Sequence, residues 1–66
     1  MIVKELIKEV RDSDTIHFAD YVDVWHIDTG VTHQYHRENL GIVCHYTVCE
    51  IHVKPSGEID AISIKR

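Results

Sequence analysis

The sequence predicts an α+β domain in which an N-terminal helix packs on a four-stranded antiparallel β-meander. Three observations predict it. An apolar stripe at helical spacing runs from Ile2 to Val10, β-branched and aromatic residues dominate from Thr15 onward, and each of the three glycines closes a short polar stretch between extended runs. A small β-barrel with an N-terminal helix is the alternative, because a curled sheet also hides two apolar faces. All of 1–66 reads as a single domain, with the helix at about 2–12 and the sheet at about 15–65.

The helix follows from periodicity. Ile2, Val3, Leu6, Ile7 and Val10 share one face, while Lys4, Glu5, Lys8, Glu9, Arg11 and Asp12 occupy the other. Lys4 with Lys8 and Glu5 with Glu9 are like-charge pairs, so burial of the stripe must hold the helix. Asp12-Ser13-Asp14 ends it.

The sheet follows from the glycines. Asp28-Thr29-Gly30, Asn39-Leu40-Gly41 and Pro55-Ser56-Gly57 each read as a three-residue hairpin loop with glycine in the left-handed position. The strands are then 15–27, 31–38, 42–54 and 58–65, with a bend or bulge near Asp20 in the long first one. This register pairs Ile27 with Val31, Glu38 with Ile42, and Lys54 with Glu58, and sets His52 opposite Asp60. Alternation puts Ile16, Phe18, Val22, Val24, Cys44, Tyr46, Val48, Ile62 and Ile64 on one face. Tyr21, Trp25, Ile27, Val31, Tyr35, Val43, Ile51, Val53 and Ile59 fall on the other. One short helix covers one face, so the second is expected to seek another copy of the chain.

Composition bounds the function. Acidic residues outnumber basic ones 11 to 7, for a net charge of −4 with neutral histidines. That balance disfavours nucleic acid and anionic membrane as partners. No apolar run reaches the roughly 20 residues of a spanning helix, and the first residues lack the layout of a secretion signal. Cys44 and Cys49 lie on opposite faces of an extended run, and both are expected as reduced thiols in a cytoplasm.

Six histidines are the compositional oddity. His33 with His36, and Cys49 with His52, are three apart and face opposite ways on a strand, so neither pair chelates. The hairpin register instead sets His36 across from Cys44, two candidate ligands for zinc where tetrahedral sites want three or four. On the other face Asp23, Tyr35 and His45 fall in one cross-strand row beside Trp25 and His33, with Tyr21 nearby. A carboxylate, a phenol and an imidazole in line can orient a proton. No nucleophile stands beside them and no Gly-x-Ser-x-Gly elbow exists, so no catalytic residues are assigned.

The expected function is therefore a small acidic, non-enzymatic regulatory or inhibitory protein. It would bind an unidentified protein partner through the aromatic face formed by Tyr21, Asp23, Trp25, His33, Tyr35 and His45, as a homo-oligomer. A His/Cys metal-binding module built on His36 and Cys44 is the alternative. A single-stranded RNA- or DNA-binding oligomer that stacks bases on the same aromatics is the second.

Overall fold

The computed structural model describes all 66 residues, in the order α1 (Val3–Asp12), β1 (His17–His26), β2 (Val31–His36), a 3-10 helix (Arg37–Val43), β3 (Thr47–Val53) and β4 (Glu58–Lys65). The α+β class and the N-terminal helix are as the sequence predicts. The sheet is not the expected meander. Its strand order is β2-β1-β4-β3, with β1 and β4 parallel at the centre and antiparallel pairings outside them. It stays open, with β2 and β3 at its edges, so it is not a barrel either.

Helix α1 buries Val3, Leu6 and Val10, the spine of the predicted stripe. Ile2 has no side-chain acceptor to cap the helix, but its backbone N–H donates to Glu5 Oε1 at 2.9 Å. At the other end the Ser13 hydroxyl accepts from the N–H groups of Thr15 and Ile16 at 3.1 and 3.2 Å, which turns the chain into β1. The expected irregularity near Asp20 is present: the β1–β4 register shifts between Phe18 and Asp23.

Two of the three glycines sit in tight turns with positive φ, Gly30 at 73° and Gly57 at 89°. The β3–β4 turn matches expectation, with Lys54 N–H donating to the Glu58 carbonyl at 2.8 Å and Lys54 Nζ 3.2 Å from Glu58 Oε1. A register shift past His52 then pairs His52 with Ala61 rather than Asp60.

Gly41 makes no hairpin. Residues 37–43 wind into the 3-10 helix, whose first turn is closed by His36 Nδ1 accepting the Glu38 N–H at 3.2 Å. Leu40 and Val43, three apart, are buried while Ile42 between them is 72% exposed. That is the signature of three residues per turn and not of a strand. The segment carries the chain from β2 at one edge to β3 at the other. Three main-chain bonds then tie β3 and its approach to the N-terminus: Val3 N–H to Tyr46, Lys4 N–H to Cys44, and Val48 N–H to Met1, at 2.8–2.9 Å.

Ten apolar side chains make the core: Val3, Leu6 and Val10 from α1, Val22 and Val24 from β1, Leu40 and Val43 from the 3-10 helix, and Ile59, Ile62 and Ile64 from β4. The two central strands, β1 and β4, hold every buried strand residue, because only there do neighbours cover both edges. Both helical segments lie over the same face of the sheet, and the opposite face is left uncovered. Val43 and Ile59, expected on the second face, join the core instead.

Candidate functional site

The uncovered face is set by the alternation that buries Val22, Val24, Ile62 and Ile64. It receives the residues between them, and pairing across the ladders aligns these into rows. One row runs Thr32, Trp25, Ser63, Glu50. The next runs Gln34, Asp23, Ala61, His52. Tyr21 pairs with His36 at the far end.

Trp25 is 48% exposed and Tyr21 58%, so the indole and phenol are the large solvent-facing groups of the surface. Tyr21 is steadied by an edge-on contact with the His36 ring, with centroids 5.3 Å apart. Gln34 Nε2 donates to Asp23 Oδ1 at 3.3 Å. His52 Nε2 lies 3.8 Å from Glu50 Oε2, an exposed pair of small energetic weight. Between Trp25 and Glu50 the Ser63 side chain is 2% exposed, and its hydroxyl has no hydrogen-bond partner within the chain. Such a buried orphan costs about 1–3 kcal/mol.

Of the predicted partner-binding set, the structure keeps Tyr21, Asp23 and Trp25 together. His33, Tyr35 and His45 lie elsewhere, a correction to the face on which the sequence places them. The β1–β2 turn holds four residues, 27–30, so His26 and not Ile27 pairs with Val31. This one-residue slip sends every β2 side chain to the opposite face. Tyr35 therefore pairs with Val22 and packs against the core, and His33 pairs with Val24. His45 leaves the sheet altogether and lines a groove of about 720 Å³ beside α1, with Lys4, Lys8 and Arg11.

The proton-orienting row of Asp23, Tyr35 and His45 therefore does not exist. In its place a cluster missed in the sequence forms at the margin of the covered face. The His26 ring meets His33 and Tyr46 edge-on, at 5.5 Å each, and Tyr35 Oη lies 3.5 Å from His26 Nε2. Only the true β1–β2 register, combined with the return of the chain at Tyr46, reveals it.

The metal pair His36 and Cys44 is corrected too. His36 precedes the 3-10 helix and Cys44 follows it. The seven residues of the 3-10 helix stand between them, in place of the hairpin that would have set them face to face. No group of three or more His, Cys, Asp or Glu side chains is arranged to hold a metal. Both cysteines are free, Cys49 exposed and Cys44 half-buried.

Charge on the molecule is mostly surface pairing. Lys54 has its pKa raised above the usual 10.5, first by its hydrogen bond to Glu58 and then by the charges of Glu58 and Asp60. Arg37 lies 3.5 Å from Asp20 and fastens the 3-10 helix to β1. No helix is long and apolar enough to cross a membrane. What the uncovered face offers is aromatic contact from Tyr21 and Trp25 and hydrogen bonding from Asp23, Gln34 and Glu50. Compared with known proteins, the chain matches no family model, no curated protein and no solved structure.

Proposed function

We propose that the protein is a small non-enzymatic regulator or inhibitor that self-associates and binds a protein partner on the uncovered face of its sheet. One observation carries this reading: Trp25, the sole tryptophan, stands half exposed on that face, with the exposed Tyr21 ring on the same strand. Tryptophan is the residue type most enriched at binding hot spots. A partner that covers the indole gains apolar contact area. The net charge of −4 favours a partner with a basic surface.

The test is cross-linked capture from extract of the native host, with wild-type, Trp25→Ala and Lys8→Ala baits compared. A partner recovered at fixed stoichiometry, weakened at least about tenfold by Trp25→Ala and unaffected by Lys8→Ala, supports the reading. Equal recovery by all three baits removes it.

A further inference from the structure

Self-association needs a surface, and the two edges of the sheet differ sharply in their fitness for it. Edge strands expose rows of unpaired N–H and C=O groups, and proteins blunt them with charge, proline, bulges or covering segments. Strand β3 carries such devices. Its register with β4 shifts twice, Ile2 bridges to Thr47, Met1 accepts the Val48 N–H, and Lys54-Pro55 follows directly.

Strand β2 carries none. Val31-Thr32-His33-Gln34-Tyr35-His36 contains no Asp, Glu, Lys, Arg, Pro or Gly, and pairs with β1 over six positions without a shift. It ends the sheet, with β1 on one side and no strand on the other. Val31 at its start is exposed, as is Ile27 in the adjoining turn.

We infer that β2 is a self-pairing edge, on which a second copy of this chain adds its own β2 antiparallel to make one continuous eight-stranded sheet. A two-fold axis normal to the sheet keeps both uncovered faces on the same side. Paired residues must then share a face, so Gln34 meets Gln34 of the second copy or His33 meets His33. With neutral histidines no like charges oppose each other in either register. The join also puts both Trp25 surfaces on the same side of the sheet, separated by the two β2 strands. Six paired residues bury less than the roughly 800 Å² per partner of a standard complex. The association is accordingly weak, with Kd on the order of 10–100 µM.

This deepens the self-association half of the proposed function and is independent of partner docking on Trp25. Sedimentation velocity at about 5 µM and about 0.5 mM brackets the expected Kd. Hydrogen exchange at the same concentrations locates the contact. A monomer at the lower concentration and a dimer at the higher is expected, with exchange slowed at least about fivefold in Val31–His36 and unchanged in Thr47–Val53. The double variant Thr32→Lys, Gln34→Lys sets like charges across the join in both registers and should stay monomeric. Its far-UV circular dichroism should be unaltered, because both positions are exposed. A monomer at the higher concentration overturns the proposal. So does a dimer that survives the double substitution, or one abolished by Trp25→Ala instead, which would place the contact on the sheet face.

Discussion

Truncating Leu40 to alanine separates a helical crossover from a strand at residues 37–43. Leu40 is fully buried and Ile42 is 72% exposed. On a strand, positions 40 and 42 share a face and would cost alike; on a 3-10 helix, 40 and 43 go together and 42 stands apart. Leu40→Ala removes roughly three buried carbons, about 2.4 kcal/mol of transfer free energy. The cavity left behind brings the total to about 3–5 kcal/mol. A chain of this size has roughly 3–10 kcal/mol of stability in all, so the variant should be marginal or largely unfolded. Ile42→Ala should stay within about 0.5 kcal/mol of wild type. Urea titration followed by far-UV circular dichroism measures both. With a slope near 1 kcal/mol/M, the Leu40 variant should lose about 3 M in midpoint and the Ile42 variant less than about 0.5 M. Equal losses, or a larger loss at Ile42, would refute the crossover and the strand order built on it.

Two further outcomes follow from the turns. The three glycines should rank in alanine substitution. Gly41, with no positive φ and open space around it, should tolerate the change or gain from it, and Gly30, at 73° with nothing near, should lose roughly 5 °C in melting temperature. Gly57 should lose at least about twice as much as Gly30, because a Cβ there would also drive into the Thr15 backbone carbonyl. Thermal melts of the three variants decide it, and Gly41→Ala proving the worst would restore a hairpin at that position. At Lys54 the pKa is raised in the folded state, so the contribution of its pair with Glu58 is present in full below the usual 10.5 and fades as pH climbs through the raised value. Glu58→Gln should therefore lower the melting temperature slightly at pH 7, and the gap to wild type should narrow as pH climbs past the usual lysine value of 10.5 and through the raised one.

Features encoded by neighbours in the chain were legible in the sequence, and features encoded by distant pairing were not. The stripe Val3, Leu6, Val10 announces α1, and Pro55-Ser56-Gly57 announces the last turn down to its Lys54–Glu58 pair. Asn39-Leu40-Gly41 carries the same kind of turn signal, but Leu40 and Val43 at three-residue spacing compete with it, and burial of both decides for the helix. Asp28-Thr29-Gly30 marks the position of the first turn but not its length, which is four residues; the extra one moves His33 and Tyr35 to the other face while leaving Tyr21, Asp23 and Trp25 in place. The side-by-side placement of β1 and β4 has no local signature at all. It is set by distant packing, with Val22 and Val24 of β1 and Ile59, Ile62 and Ile64 of β4 sharing one core.

That central seam has a kinetic consequence. Each hairpin closes on a short turn, yet Phe18 must find Ile59 and Val24 must find Ile62 across about 40 intervening positions. Neither ribbon has an apolar lid until the seam zips and α1 settles over both. Collapse must therefore meet the entropic toll of a long loop before most of the native contacts reward it. For so small a chain, folding should run in milliseconds rather than the microseconds of a helical bundle. Until the ribbons join, β4, which carries three of the core side chains, has an open flank, which makes the unjoined ribbons the species most exposed to misassembly.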